Sequence, residues 1–180
     1  MKKTLALVLA LAMVFSSFTV VFAEDALGED AQICADLGML KGETGTVDVA
    51  YTQTAPSRIQ AAVMFLRLKG LEDEAKAFTG DTNFADADNA AWAKPIMAYL
   101  KANPQLGWAG DGTNFNPTDK VTAQMYYKVL LEALGYKQST GEVLGDFEWA
   151  NVLEFAAGKG LVKVAAVAEF TVNDLAVATV

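Results

Sequence analysis

The sequence predicts an all-α fold, and three observations support that prediction. Apolar residues recur at intervals of three and four in several segments, which is the spacing of one face of a helix. Hydroxyl residues stand at Ser57, Thr122 and Thr171, just before such segments, where a helix N-cap belongs. Runs of alternating polarity are too short for a substantial sheet, so at most short extended pieces are predicted, around residues 46–50 and 162–165.

The first 23 residues have the layout of a cleavable secretory signal. Two lysines form a positive n-region, an almost uncharged apolar stretch runs to Phe22, and Ala23 completes a small-residue cleavage site. A retained membrane anchor is the alternative, because an apolar stretch of this length approaches what is needed to span a bilayer. No stop-transfer charge cluster follows, which favours cleavage and a secreted domain of residues 24–180 with no remaining membrane segment.

Charge and composition exclude several classes of function. Cleavage removes the two lysines and changes the formal net charge from −8 to −10, so nucleic acid and anionic membranes would be repelled. The chain has no histidine and one cysteine, Cys34, which excludes a His-based triad, an intrachain disulfide and a Cys₄ zinc site. We expect Cys34 to be a small buried apolar residue, and we expect no cofactor.

Three segments share one order of elements: an apolar helix, a glycine turn, a variable loop and a capped second helix. The turn glycines and the caps that follow them are Gly38 and Ser57, Gly107 and Thr122, and Gly160 and Thr171. These pairs predict three copies of one helix-loop-helix unit, at about residues 26–71, 83–136 and 145–180. The third copy stops nine residues after its cap, which predicts either a short last helix or a fragment.

The three caps differ in their predicted chemistry. Ser57 is followed three residues later by Gln60, and Thr171 by Asp174, so both can form a capping box or a close variant. Thr122 keeps the cap hydroxyl but lacks such an acceptor at the third position.

A proline complicates the first helix of the second copy. Pro95 lies inside an apolar stripe that runs from Trp92 to Leu100. Since proline lacks a backbone donor and clashes with the preceding turn, the helix is predicted either to start near Lys94 or to bend. Residues 137–143, rich in polar and turn residues, are the predicted linker between the second and third copies.

The second copy contains an ordered series of motifs. In chain order they are Phe84-x-Asp86, Trp92, a glycine turn at residues 107–110, Phe115-x-Pro117 and Val121-Thr122. This order resembles the repeat of the S-layer homology (SLH) domain family, which ends in a Thr-Arg-Ala-Glu helix start. The first copy lacks the opening motifs but has Ser57-Arg58-Ile59-Gln60 in place of that signature, and the third has Phe147 and Trp149 before a compressed loop.

The resemblance implies a three-lobed, non-catalytic module that holds proteins on the bacterial cell surface. Members of the SLH family bind a secondary cell-wall polysaccharide, often pyruvylated and therefore anionic, in grooves between repeats. Arg58 matches the signature arginine, Asp86 the Phe-x-Asp carboxylate, and Trp92 and Trp149 the tryptophan. The candidate glycan-binding residues are Arg58, Ser57, Asp86, Trp92, Trp108, Thr122 and Trp149.

Physical reasoning about the three tryptophans partly differs from the resemblance. Trp92 and Trp149 each head an apolar helical stripe, which favours core positions for both. Trp108 stands in a glycine-flanked turn, which predicts an exposed indole suited to stacking on a sugar.

The chain departs from the SLH pattern at the signature arginine. The second copy has Ala123 at that position and the third has Val172, and neither can hold a carboxylate bidentately as arginine does. Glycan binding is therefore predicted through one groove only. The alternative is a degenerate SLH-like module that acts as a structural or assembly element, through contacts with a surface protein and without glycan.

Neither catalysis nor metal binding is predicted. A glycosidase could use two carboxylates alone, but no spacing among the 22 acidic residues selects a pair. The acidic segment 81–88 breaks the EF-hand pattern at Ala85 and Asp86. Asp86 and Asp88 are instead predicted to be anions at a helix N-terminus.

Overall fold

The structure is a computed structural model that describes residues 26–42, 44–161, 163 and 167–180. The predicted signal at residues 1–23 and most of the predicted extended piece at 162–165 lie outside these ranges. Helices account for 51% of the described residues, which include no strand, so the predicted all-α fold is confirmed. No helix in these ranges is long and apolar enough to cross a membrane.

The α-helices of the described ranges are α1 (Glu29–Asp36), α2 (Val49–Thr52), α3 (Arg58–Leu68), α4 (Glu72–Lys76), α5 (Lys94–Ala102), α6 (Ala123–Ala133), α7 (Val152–Gly158) and α8 (Val172–Thr179). Short 3₁₀ helices lie at Ala87–Ala93, Pro104–Leu106 and Trp149–Asn151. Helix α5 begins at Lys94, so Pro95 occupies the first turn, where its missing N–H costs no helical hydrogen bond.

The extended piece predicted around residues 46–50 is wrong, because α2 begins within it. Asp48 caps this helix, and its carboxylate accepts a hydrogen bond from the Tyr51 N–H at 2.7 Å. An N-cap aspartate satisfies a backbone donor at the helix start that an extended chain would leave to solvent. The predicted linker at 137–143 does connect α6 to the third copy, as a turn with isolated bridges between Thr140 and Val143 and between Gln138 and Phe147.

All three predicted caps start helices, with the predicted difference in chemistry. Ser57 accepts from the Gln60 N–H at 3.4 Å, and the Gln60 side chain accepts from the Ser57 N–H at 2.8 Å. Thr171 forms the same box with Asp174, at 3.2 and 2.8 Å. Thr122 accepts a single bond, from the Met125 N–H at 3.3 Å.

One interaction between copies occurs twice with the same sequence offset. The Arg58 N–H donates to the Asp119 carbonyl at 2.7 Å, and the Val172 N–H donates to the Thr54 carbonyl at 2.8 Å. Each donor is the first residue after a cap, and each acceptor lies three residues before the cap of another copy. Helix α8 of the third copy also packs against α1 of the first, and α6 of the second packs against α7 of the third.

The core is continuous across the three copies. Its largest fully buried side chains include Phe65 from the first copy, Tyr126 from the second and Leu175 from the third. Cys34 is fully buried among them, as predicted, and burial, with a smaller effect of Asp30, raises the pKa of its thiol to about 11. This shared core fixes the copies against one another and so sets the grooves between them.

Candidate functional site

A groove of about 250 Å³ takes side chains from all three copies. Arg58 comes from the first copy, Trp108 and Lys128 from the second, and Trp149 from the third. We call this cavity the Arg58 groove. It brings together three of the seven residues that the sequence selects as candidate glycan contacts.

Arg58 is held at the groove by the start of α3. It follows the Ser57 cap, and its backbone N–H is bound to Asp119 of the second copy. Its side-chain Nε is buried without a hydrogen-bond partner, and no ion pair to Arg58 occurs within the ranges that the structure describes. The guanidinium therefore retains donors that a ligand can use.

Asp111 is an acidic residue whose pKa is lowered in part by the positive charge of Arg58. The pKa of its carboxyl is lowered, first by the backbone N–H groups of Asn114 and Thr113 that it accepts and further by the positive charge of Arg58. The Asn114 and Thr113 N–H groups lie 2.6 and 2.8 Å from one carboxylate oxygen. Asp111 therefore acts mainly as a turn residue that keeps the loop of the second copy in place.

Trp108 is buried, with 4% of its surface exposed, so the prediction of an exposed indole was wrong. The turn at Gly107 directs the ring inward, where it lies edge-on to Phe65 at 6.1 Å and tilted against Phe115 at 6.5 Å. Its Nε1 is buried without a hydrogen-bond partner in the described part of the protein. A buried unpaired donor costs about 1–3 kcal/mol, and Trp108 is at the same time one of the residues that line the Arg58 groove.

Trp92 and Trp149 are 64% and 42% exposed, so their predicted core positions were also wrong. Both lie in 3₁₀ segments, whose three-residue turn puts them out of phase with the stripes of the helices that follow. Before Trp92, Ala90 also leaves helical geometry, with φ −139° and ψ 65°. Trp149 lies on the Arg58 groove, and its carbonyl accepts a bond from the Gln124 side chain at 2.6 Å.

Asp86 stands at the N-cap position of the 3₁₀ helix Ala87–Ala93 and Asp88 lies in its first turn, so both acidic residues are at a helix N-terminus, as predicted. Asp86 was also selected as a glycan contact, but its two carboxylate oxygens accept the Phe115 N–H at 2.8 Å and the Asn116 N–H at 2.7 Å. It makes no side-chain cap to the 3₁₀ helix that it precedes and lies outside the Arg58 groove. Asp88 forms an ion pair with Lys94.

Ser57 and Thr122 act as helix caps and do not line the Arg58 groove, although both were selected as glycan contacts. Their hydroxyls are occupied by backbone N–H groups of the helices they start. Thr122 borders a separate cavity of about 280 Å³ beside Thr171 and Lys120. Ser57 thus contributes to the groove indirectly, by fixing the residue that follows it.

A second groove of about 510 Å³ is lined by residues at the same sequence offsets from a helix cap as the Arg58 groove. Each groove is lined by four residues at fixed distances from a cap: one before it, and three, six and seven after it. Counted from Thr122, these are Val121, Met125, Lys128 and Val129 in the Arg58 groove. Counted from Ser57, they are Pro56, Gln60, Val63 and Met64 in the second groove. Val172 stands in the second groove where Arg58 stands in the first, and Trp92 stands where Trp149 does. We call the second cavity the Val172 groove.

The Val172 groove contains its own ion cluster around the buried side chain of Glu72. This carboxylate pairs with Arg67 at 2.9 Å, Lys76 at 2.8 Å and Lys41 at 3.3 Å. Burial alone would raise the pKa of Glu72, but the hydrogen bonds and charges of Arg67 and Lys76 outweigh burial and lower the pKa to about 2. Three cations are thus directed at an internal anion.

Sequence reasoning missed Lys128 and Glu72. Lys128 lies on the Arg58 groove, donates to the Gly107 carbonyl at 3.3 Å and pairs with Glu132 at 2.7 Å. Lys128 lies six residues after its cap, and Val63 lies six residues after the cap of the first copy. Both line a groove, so the distance from the cap is the signal that could have identified Lys128. Glu72 gave one local signal, the lysine four residues later on the same helix, but its pairs with Arg67 and Lys41 cannot be read from spacing.

No cluster of three or more metal-ligating side chains occurs among the residues that the structure describes. The comparisons with known proteins add no assignment: no protein-family model matches the chain, and no curated protein shows significant similarity to it.

Proposed function

We propose that this chain is an SLH-like cell-surface module that anchors to the bacterial cell wall by binding an anionic secondary cell-wall polysaccharide in the Arg58 groove. The observation that carries the proposal is the meeting of Arg58, Trp108 and Trp149 in one cavity. These residues come from three different copies, and the sequence alone selects all three as candidates.

The groove offers the chemistry that an acidic sugar requires. The planar fork of Arg58 can donate two parallel hydrogen bonds to a carboxylate. The half-exposed indole of Trp149 offers an apolar face against which a pyranose ring can lie. A volume of about 250 Å³ is small for a ligand pocket, which favours a single acidic residue of the polymer over a long oligosaccharide segment.

We also propose that the three copies form a three-lobed arrangement. The backbone bonds from Arg58 to Asp119 and from Val172 to Thr54 support it, because they repeat one sequence offset in two junctions. The packing of α8 against α1 supports it further, since contact between the last and first copies closes the series.

The test measures retention of the protein on cell-wall sacculi with and without their secondary polymer. We expect retention to depend on the polymer and Arg58→Ala to weaken it about 10- to 100-fold, the effect of losing charge-assisted hydrogen bonds. Lys69→Ala is the matched control, because it removes one positive charge just after the other end of the same helix. Arg58→Lys tests the fork, and we expect partial loss.

Two results would contradict the proposal. Wild-type protein that ignores the polymer would exclude polysaccharide anchoring. Folded Arg58→Ala protein that is retained like the wild type would remove this groove from the binding site.

The alternative is attachment to a surface protein, and one observation favours it. The neighbouring residues Val143 and Leu144 are 68% and 89% exposed, and adjacent exposed apolar groups often mark contacts with other proteins. In that case Leu144→Ser would reduce retention on sacculi whether or not the secondary polymer is present, and Arg58→Ala would not.

A further inference from the structure

We infer that the indole N–H of Trp108 donates a hydrogen bond to the carboxylate of the bound sugar and so determines the preference of the Arg58 groove for an acidic ligand. This inference rests on the proposed function. It assigns a hydrogen bond to the ligand carboxylate to a side chain that would otherwise be regarded only as part of the hydrophobic core.

The first step concerns the position of Trp108. The side chain is 96% buried, and contacts with Phe65 and Phe115 hold the ring against the core while it lines the groove. Rotating the indole to satisfy its N–H elsewhere would break these ring contacts. The donor is therefore held in place before any ligand arrives, which lowers the entropic cost of binding.

The second step concerns the acceptors near the groove. The Gly107 carbonyl accepts from Lys128, and the Trp149 carbonyl accepts from Gln124. A buried tryptophan that serves packing alone usually finds a carbonyl for its N–H. Trp108 has none within the described ranges, and neither does the Nε of Arg58 in the same cavity. Two unpaired donors in one small groove suit a ligand with two acceptor oxygens, and a carboxylate has them.

The third step compares the equivalent groove. Trp108 follows the turn glycine of the second copy, and Met39 follows that of the first copy and lines the Val172 groove. Methionine has no N–H to donate, and Val172 has no guanidinium. At these two equivalent positions the donors are thus present together in the Arg58 groove and absent together from the Val172 groove, as expected if they serve one ligand. The Val172 groove has an unpaired donor elsewhere, the Nε of Arg67, but that guanidinium already pairs with Glu72.

The test uses the polysaccharide released from sacculi, native and after mild acid has removed ketal-linked pyruvate. Trp108→Phe keeps an aromatic ring against Phe65 and Phe115 but removes the donor. We expect it to weaken binding of the native polymer about tenfold or more, with little effect on the pyruvate-free polymer. Trp92→Phe is the matched control, because it changes a tryptophan of the other groove, and we expect no change.

A second measurement does not depend on the stability of a variant. In wild-type protein labelled with ¹⁵N at its indoles, the Trp108 N–H resonance should move downfield when native polymer is added. Equal binding by folded Trp108→Phe, or an unmoved Trp108 resonance at saturation, would overturn this inference while Arg58→Ala still lost binding. Failure of the wild type to bind native polymer would instead defeat the proposed function itself.

Discussion

The Arg58 groove and the Val172 groove are lined at the same sequence offsets from a helix cap, yet their positively charged residues have different partners. In the first, the guanidinium of Arg58 is near Asp111 but has no ion pair among the described residues. In the second, Arg67 and two lysines converge on the buried carboxylate of Glu72. The Nε of each arginine is buried without a hydrogen-bond partner, but only Arg67 has an ion pair, with the internal anion Glu72.

The difference means that, under the proposed function, similarly lined grooves would serve binding in one place and stability in another. At the position that Arg58 holds after its cap, Val172 has no guanidinium and is instead a fully buried core residue. The cations that remain near the Val172 groove then stabilise the fold. The larger cavity is therefore not the better candidate for an acidic ligand, although its volume is about twice that of the Arg58 groove.

The largest expected effect comes from breaking the internal cluster with Glu72→Gln. The change leaves Arg67, which is mostly buried, without its charge partner, and we expect the free energy of unfolding at pH 7 to fall by about 2–3 kcal/mol. Denaturant unfolding measures this loss. Asp73→Asn, a change at an exposed acidic residue on the same helix, is the control and should change little. Equal stability of Glu72→Gln and wild type would show that the cluster contributes nothing.

The same cluster predicts a pH dependence with a definite sign. The pKa of Glu72 is lowered from 4.5 to about 2, so its contribution is complete above pH 4.5 and is lost as the pH falls toward 2. Wild-type protein should therefore lose more stability than Glu72→Gln across this window. Parallel curves for the two proteins would place the titrating group elsewhere.

The next effect tests whether the two grooves are equivalent. Val172→Arg restores a guanidinium at the start of α8, beside a cavity of about 510 Å³ that can receive the longer side chain. We expect the number of polymer sites per chain to rise from one to two in calorimetry. The new site should be about tenfold weaker, because Met39 supplies no donor there.

Loss of packing at residue 172 requires its own control, because Val172 is buried. Arginine at a buried position should cost about 1–3 kcal/mol of stability. Val172→Leu changes the same packing without adding a donor, so it should show one site. A folded Val172→Arg protein that still has one site would break the correspondence between the grooves.

Local chemistry could be predicted from the sequence, and tertiary exposure could not. Ser57, Gln60 and the other capping residues act within four residues of one another, so their spacing alone predicts the bonds that the structure contains. The burial of Trp108 depends on Phe65, which lies far away in the chain and belongs to another copy. The exposure of Trp92 depends on the break in helical geometry at Ala90, which no propensity of alanine indicates.

The candidate site divides in the same way. Arg58 could be selected because its place beside a cap is a matter of sequence, and its groove confirms only that it lines a cavity with two other candidates. Asp86 was selected by motif, but its carboxylate is used by the Phe115 and Asn116 N–H groups of its own copy. A motif marks a residue as important without distinguishing a ligand contact from a loop anchor.

The smallest expected effect compares the caps themselves. Ser57→Ala removes the hydroxyl from a capping box that leads into the Arg58 groove, and Thr122→Ala removes a single 3.3 Å bond at an exposed cap. We expect losses of about 1–2 and about 0.5–1 kcal/mol in unfolding free energy. Ser57→Ala should also weaken polymer binding by a few-fold, because the cap fixes the backbone from which Arg58 projects, whereas Thr122→Ala should leave binding unchanged. Equal binding losses in both variants would mean that each cap affects binding only through the stability of the whole fold. The Ser57 cap would then have no specific role in positioning Arg58.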